Sequence, residues 1–217
     1  MLEAYHKPTF NTIPNVGYMQ TRANLHLAIP ALPCDWTRMD FEIVPATDAD
    51  YDVALNLARF YMYDMAEHAG WAFPDDGLFD VGDLLLPYWG RPGRKRPWPA
   101  HWRPFAFMIR AGGRPAGFAL VKQIGERPAT FDMAEFFIGR QHRRRGFGAR
   151  AAHHLFDRFA GAWEVREMLT NTQAQAFWRR IIAAYTAGDF RETQEAFPAY
   201  DGREYVVQRL RSRNAAE

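Results

Sequence analysis

The residues best suited to chemistry lie between Ile138 and Leu155, where the sequence reads IGRQHRRRGFGARAAHHL. Three consecutive arginines lead into two glycines, and these lead into an apolar pattern typical of a helix. Backbone N–H groups at a helix N-terminus bind anions. Glycine brings the backbone close to a phosphate because it has no Cβ, and arginine adds charge-assisted hydrogen bonds. The spacing therefore predicts a cradle for a pyrophosphate group.

Two other interpretations of this turn fit the sequence less well. A nucleic-acid surface would use the arginine clusters at Arg91–Arg96 and Arg140–Arg150, but the net charge is only +2. The predicted order of elements also matches no common nucleic-acid-binding fold. Gly146 to Ala151 satisfies the dinucleotide pattern G-x-G-x-x-A. However, seven residues separate the strand end at Ile138 from Gly146, whereas a Rossmann strand runs almost directly into its first glycine.

The elements that position this turn follow from the spacing of apolar residues. The sequence predicts the order β-α-long loop-β-β-β-α-β-α-β-β. The helices lie after a capping box at Thr47–Asp50, after Gly146 and at 172–185, and the strands lie at 40–46, 105–110, 114–124, 130–138, 165–170, 190–197 and 203–210. We expect one α/β domain over residues 39–213, with a mixed, mostly antiparallel sheet flanked by helices. Residues 1–38 are expected to be an extension outside the core.

Composition supports a globular protein, because 48% of the residues are hydrophobic and 15% aromatic. No apolar run approaches the length of about 20 residues that spans a bilayer, so no membrane association is expected. The N-terminus lacks the basic start and apolar block of a signal peptide. The single Cys34 allows no internal disulfide. These observations favour a cytoplasmic location.

Two motifs resemble those of the GCN5-related N-acetyltransferase (GNAT) superfamily. Arg143–Gly148 fills the acetyl-CoA signature [QR]-x-x-G-x-[GA] after the strand that ends at Ile138. The second motif, N-x-x-A-x-x-[FL]-[YW], is met by Asn171, Ala174, Phe177 and Trp178. Within the superfamily the sequence resembles bacterial predicted acetyltransferases of unassigned acceptor. The resemblance implies a GNAT-like sheet that splays between the strand ending at Ile138 and the one ending at Thr170.

The resemblance also implies acetyl-CoA as cosubstrate and no metal. The pantetheine arm would pair with the backbone of Phe136, Phe137 and Ile138, and Asn171 would donate to it from the other side. Arg143 and Arg145 would be the main side-chain ligands of the pyrophosphate. The main-chain N–H groups that hold it would come from Arg143, Arg144, Arg145, Gly146, Phe147, Gly148 and Ala149.

The chemistry implied is attack of a primary amine on a thioester, by direct transfer in a ternary complex. Alkyl amines with a pKa of about 10.4 are almost fully protonated at neutral pH, so a base is needed. Glu135 is the candidate base. Trp178 stands where many family members have the acidic Tyr, which leaves Tyr185 as candidate acid, with a packed core aromatic as its other interpretation. A thiolate with a pKa near about 8.5 leaves without a dedicated acid.

Trp178 also favours an alternative function, a non-catalytic CoA-binding sensor or interaction module.

The segment from His68 to Arg103 has the residue types of an acceptor site for a cationic amine. It combines aromatic residues with carboxylates, although a solvated acidic loop gives the same composition. The residues concerned are Trp71, Asp75, Asp76, Phe79, Asp80, Asp83, Tyr88 and Trp89. The sequence does not choose among polyamine, antibiotic, amino acid or protein N-terminus as acceptor. A homodimer is an expectation from the family only.

Overall fold

A computed structural model of the protein describes residues 40–91, 99, 101–126, 129–197 and 202–215. The predicted extension at 1–38 and the basic residues Arg94–Arg96 lie outside this part of the chain. The described residues form one seven-stranded sheet in the order β1-β2-β3-β4-β5-β7-β6. The strands are β1 Phe41–Pro45, β2 Arg103–Ala111, β3 Arg114–Glu126, β4 Ala129–Ile138, β5 Ala162–Met168, β6 Phe190–Phe197 and β7 Arg203–Arg211. The predicted fold class is confirmed.

Three α-helices cover the described sheet: α1 Tyr51–Ala69, α2 Phe147–Arg158 and α3 Thr172–Thr186. Helix α1 packs on one face, where Ala54 and Ala58 are fully buried against Phe118 and Leu120. Helices α2 and α3 pack on the other face around a core that includes Trp163. Small alanines let α1 approach the strands closely. Each buried Leu or Phe side chain contributes about 1.5–3 kcal/mol to the stability of the folded state.

The sheet opens between β4 and β5, its only parallel pair of strands in the described chain. Their pairing runs from Thr130 to Met133 and then stops. A β-bulge lies at this point, because the β3 register shifts between Leu120 and Val121 and leaves Ala134 as an extra residue on β4. Bulges bend a strand and are common next to functional sites. The opening therefore leaves residues 134–138 of β4 without a neighbour on the β5 side.

Helix α3 occupies the back of this opening. The rings of Phe136 and Trp178 meet edge to face at 5.0 Å, and Phe177 stacks near Phe136 at 6.1 Å. These aromatic rings lie in the opening, where a continuous β4–β5 pair would leave no room for them. They hold the two strands apart and tie α3 to the free edge of β4.

The structure shifts two predicted boundaries. The strand predicted at 165–170 spans Ala162–Met168, because Asn171 N–H bonds back to the Met168 carbonyl and the Thr170 hydroxyl donates to the carbonyl of His68. The splay lies between β4 and this strand, which ends two residues earlier than predicted. The described residues of the long segment after α1 contain one 3₁₀ helix, Leu86–Trp89. None of the described helices is both long enough and apolar enough to cross a bilayer.

Candidate active site

The arginine–glycine turn has the geometry of an anion site. Gly146 caps α2 with φ of 77°, and Arg144 also has a positive φ of 60°. The first amide of α2 that bonds back within the helix is Arg150 N–H, at 3.0 Å from the carbonyl of Gly146. The amides of residues 146–149 therefore have no intrahelical partner and lie at the positive end of the helix dipole.

Gly148 keeps this end of α2 open. A Cβ at Gly148 would lie 3.0 Å from two ring carbons of Phe177, a distance at which the ring must move. Gly148 and Phe177 both border a cavity of about 640 Å³ in front of the turn, which we call the turn cavity. Its other walls include Phe136, Ile138, Arg144, Asn171 and Arg180.

The arginines around the turn divide into bound and open groups. Arg143 donates from Nε to the Ile138 carbonyl at 2.7 Å and pairs with Asp64 of α1, which Arg140 also binds. Arg143 also borders the turn cavity, but its side chain is engaged with the protein, and Arg145 does not border the cavity. Arg144 borders it and makes no hydrogen bond or ion pair within the described chain. The roles expected of Arg143 and Arg145 stay predictions, and of the two only Arg143 borders the turn cavity.

Arg180 of α3 is a cationic residue that the sequence did not single out. It borders the turn cavity from the side opposite the turn and, like Arg144, has no partner among the described residues. Its position in the helix, two residues after Trp178 of the second motif, was the available signal. Residues two positions apart on a helix project about 200° away from each other. The sequence alone therefore argued against a common site for Trp178 and Arg180.

The free edge of β4 and the start of α3 form the remaining walls of the turn cavity. Phe136, Phe137 and Ile138 border it. Asn171 caps α3, since its Oδ1 accepts from Ala174 N–H at 3.0 Å, and its amide nitrogen makes no hydrogen bond within the described chain. The side chain of Phe147, in contrast, is buried against Phe41, so only its backbone belongs to the turn.

A second cavity of about 580 Å³ lies on the other side of the β4–β5 opening. We call it the carboxylate cavity, after Asp132, Glu135 and Glu167 in its walls. The two cavities meet at the opening, where both are bordered by Tyr61, Met65, Phe136, Asn171 and Ala174.

Glu135 lies in the wall of the carboxylate cavity and is held by Tyr61. The Tyr61 hydroxyl donates to Glu135 Oε2 at 2.5 Å. Protein surrounds the carboxyl on its other sides, and this burial raises the pKa of Glu135 to about 7, while the Tyr61 hydrogen bond opposes the rise. A carboxyl with a pKa near the working pH is suited to proton transfer. Tyr61 is not among the residues that the sequence singles out, so its contact with Glu135 was missed.

Tyr185 lies away from Glu135, in the core between α2 and α3. Its hydroxyl donates to Asp157 at 2.7 Å, and its ring packs on Phe156. Burial and the Asp157 carboxylate raise the pKa of Tyr185 to about 12, and the residue borders neither cavity. The expectation of Tyr185 as an acid is corrected to a packed core residue. Trp178, at the position of the family Tyr, does border the carboxylate cavity.

Charged groups line the floor of the carboxylate cavity. Asp132 is fully buried between Lys122, whose Nζ is 2.9 Å away, and Arg166. Glu167 is also buried, and neither of its carboxyl oxygens has a hydrogen-bond partner. Burial, reinforced by the nearby carboxylate of Glu192, raises the pKa of Glu167 to about 8.

The acidic residues predicted for an acceptor loop have mainly local contacts. Asp76 accepts from Leu78 N–H at 2.9 Å and Asp80 accepts from Gly82 N–H at 2.8 Å, so both stabilise turns. Among the described residues of this segment, Trp71 and Leu84 border the carboxylate cavity. Trp71 is thus the one residue of the expected acceptor wall that borders this cavity in the described part of the segment, and the carboxylates in the cavity wall come from β4 and β5.

Comparison with known proteins identifies the family. A model described as the acetyltransferase (GNAT) family matches residues 62–182, which contain the turn, β4, β5 and most of α3. The chain therefore belongs to the GNAT acetyltransferase family, and acetyl-CoA is its cosubstrate. A search of curated proteins found no match to the sequence.

Solved bacterial structures share the fold at low sequence identity. The ribosomal-protein-S18-alanine N-acetyltransferase from Escherichia coli is 15% identical, with a TM-score of 0.52 over 82% of this chain and 97% of its own. An acetyltransferase from Thermus thermophilus is 19% identical, with a TM-score of 0.53 over 79% and 96%. A GNAT acetyltransferase from Streptococcus agalactiae is 15% identical, with a TM-score of 0.53 over 79% and 95%.

The residues of the turn cavity fit this cosubstrate. Unpaired helix amides and open arginines suit phosphates, the free edge of β4 suits an extended amide-containing arm, and a Cβ at Gly148 would narrow the space between α2 and α3. No group of three or more metal-binding side chains exists among the described residues.

Proposed function

We propose that the protein is an N-acetyltransferase that transfers the acetyl group of acetyl-CoA directly to a primary amine in a ternary complex. The observation that carries this proposal is the meeting of the two cavities at the β4–β5 opening, with Glu135 in the wall of one and the glycine turn in the wall of the other. Cosubstrate and acceptor, one in each cavity, can therefore meet at the opening.

The proposed ligand set for acetyl-CoA follows the walls of the turn cavity. The amides of residues 146–149, with Arg144 and Arg180, hold the phosphates. The backbone of Phe136 and Ile138 pairs with the pantetheine amides, and the amide nitrogen of Asn171 donates to the arm from the α3 side. Bound in this way, acetyl-CoA supplies a thioester whose acyl carbon is reactive toward amines.

Glu135 acts as the base in this proposal. The amine nitrogen forms a bond to the acetyl carbon, and the carbon–sulfur bond breaks with its electron pair on sulfur. The proton of the nitrogen passes to Glu135, directly or through one water. Tyr61 positions the carboxylate through its hydrogen bond and keeps the pKa of Glu135 from rising further.

Trp178 takes a different part from the Tyr found at this place in many relatives. Its indole N–H is a donor that cannot act as an acid, so it can stabilise negative charge on sulfur without protonating it. A thiolate with a pKa of about 8.5 then leaves and is protonated by solvent.

The experiment that tests this function compares Glu135→Gln with wild-type protein. Release of free CoA is followed with a panel of amines over a pH range of about 5.5 to 9. Loss of the base predicts a fall in kcat of about 10²- to 10⁴-fold, with an unchanged Kd for acetyl-CoA. The wild-type rate should rise with pH through the pKa of Glu135, about 7, and this limb should vanish in the variant.

Glu126→Gln is a matched control, because Glu126 is an exposed strand carboxylate paired with Arg103 and borders neither cavity. An equal rate in Glu135→Gln would remove Glu135 as base. Mass spectrometry after incubation with acetyl-CoA alone should show an unmodified protein, and an acetylated protein that passes its acetyl group to the amine would contradict direct transfer.

The alternative, a CoA-binding sensor or interaction module, is favoured by the indole of Trp178 in place of a phenol. It predicts binding of acetyl-CoA and of CoA with no release of CoA for any amine. A cytoplasmic location, favoured by the single Cys34, and a homodimer belong to the same proposal. Cell fractionation and light scattering test them.

A further inference from the structure

The carboxylate cavity has more permanent positive charge than negative charge. Lys122, Arg166 and Arg203 border it, and Asp132 is the acid that pairs with the first two. Lys122 and Arg166 thus share the one buried carboxylate of Asp132. Arg203 adds a further cation at the start of β7, and its side chain makes no hydrogen bond or ion pair to any described residue.

The other two acids of the cavity carry less than their full negative charge at neutral pH. Burial raises the pKa of Glu135 to about 7 and that of Glu167 to about 8. The groups facing Glu167 are Glu192 of β6, which supports the rise, and Arg179 of α3, which opposes it. Those facing Glu135 are Tyr61, Lys122, Asp132 and Arg166. A cavity with this charge repels an acceptor that carries only cationic groups.

The strands that hold Arg166 and Arg203 separate these cations from Glu135, where the amine reacts. Glu135 lies on β4, Arg166 on the next strand β5, and Arg203 on the strand after that, β7. Neighbouring strands are about 4.8 Å apart, and β4 and β5 diverge here. The backbones of Arg166 and Arg203 are therefore about 5 and 10 Å or more, respectively, from the backbone of Glu135 along the sheet.

An apolar wall faces this charged floor. Met62 and Met65 of α1 border the cavity together with Trp71 and Leu84. Methionine and aromatic side chains pack well against flexible aliphatic chains. The cavity thus offers a base at one end, cations toward the other, and an apolar surface between them.

We propose that the acceptor is an amino carboxylate, in which an aliphatic chain separates the nucleophilic amine from an anionic group that binds on the side of Arg166 and Arg203. This inference rests on the proposed function, since it names the class of amine that is acetylated. The carboxylate contributes binding and orientation, while the amine alone takes part in the reaction at Glu135.

The test is a series of paired acceptors that differ only in charge. Amino acids H₂N–(CH₂)n–COO⁻ with one to about five methylene groups are compared with their primary amides, and a polyamine and a peptide with an amidated C-terminus are added. A charge-assisted hydrogen bond in a partly buried site predicts kcat/KM about tenfold higher for the acids than for the amides. We expect the longer chains to be preferred, because they span the strand spacings.

Arg203→Gln should lower kcat/KM about tenfold for the acids and leave the amides unchanged. Arg191→Gln removes the same charge from an exposed position on β6 that borders neither cavity and should change neither. Equal rates for acids and amides, turnover of only the polyamine or peptide, or an acid preference that survives in Arg203→Gln would overturn the proposal while acetyl transfer to amines stands. Acetyl-CoA binding without turnover of any compound would instead reject both this proposal and the proposed function.

Discussion

The turn cavity and the carboxylate cavity are of similar size but are built in different ways. The turn cavity has most of its proposed anion-binding groups in one continuous stretch, residues 144–149, and mainly in the backbone, with Arg180 of α3 in addition. The carboxylate cavity takes its charged side chains from β3, β4, β5 and β7, which are far apart in sequence. A constant ligand such as a pyrophosphate can be bound by a local motif, whereas a specific acceptor needs side chains that only the fold brings together.

The two cavities also differ in how they hold charge. Arg144 and Arg180 are open to solvent at the turn cavity, where water screens each contact. In the carboxylate cavity, Asp132 and Glu167 are buried, and the pKa of Glu167 moves to about 8. Substitutions in the first cavity should therefore change affinity, and those in the second should change pH dependence.

The largest change in acetyl-CoA affinity is expected from Gly148→Val, which alters the turn cavity and not the carboxylate cavity. The added side chain meets Phe177 at the end of α2 and blocks the amides of the first turn. Loss of about two hydrogen bonds to a charged group, at about 1.5 kcal/mol each, predicts a Kd for acetyl-CoA about 100-fold higher. Isothermal titration measures it, and thermal unfolding checks that the variant is folded. Retained affinity in a folded variant would remove the turn as the phosphate site.

Glu167→Gln addresses the buried charge of the carboxylate cavity. The pKa of Glu167 is about 8 in the folded protein, against 4.5 ordinarily, so between these values the folded state holds a proton that the unfolded state has released. Stability then falls as pH rises, by about 1.4 kcal/mol per pH unit from this group. Urea unfolding at about pH 6 and about pH 7 should show a larger loss in wild-type protein than in the variant, in which Glu135, with its pKa raised to about 7, still contributes. Equal slopes would mean that Glu167 is ionised when folded.

Tyr61→Phe tests the hydrogen bond that holds Glu135. That bond lowers the pKa of Glu135, so its removal should shift the acid limb of the pH–rate profile upward. At neutral pH the rate should fall about tenfold, the value of one hydrogen bond to a charged group, and should recover at higher pH. Tyr63→Phe is a control, since Tyr63 lies on α1 but outside both cavities. A uniform loss at every pH would indicate damage to the cavity wall instead.

The smallest effects are expected from Arg144→Gln and Arg180→Gln. Exposed ion pairs contribute about 0.2–1 kcal/mol, which predicts a Kd for acetyl-CoA about two- to fivefold higher for each variant. The loss should shrink as salt is added. Arg145→Gln, whose side chain lies outside the turn cavity, should leave the Kd unchanged, and a larger effect there than at Arg144 would favour the arrangement expected from the sequence.

Much of the fold could be predicted because its signals are local. The hairpin around Gly112-Gly113 and the final hairpin were placed correctly, since alternating apolar residues and a glycine turn define both. The end of β5 was misplaced by two residues, because the contact of Thr170 with His68 joins segments that are far apart in the chain.

The sequence by itself determined the family, the strand and helix order, and the glycine turn, because each depends on residues within a few positions of one another. Only the tertiary structure decided which side chains reach the site. It placed Tyr61 on Glu135, engaged Arg143 with Asp64, and buried Tyr185 against Asp157. These contacts join residues 28 to 79 positions apart, and their partners depend on how α1 and α3 pack on the sheet, which no local pattern specifies.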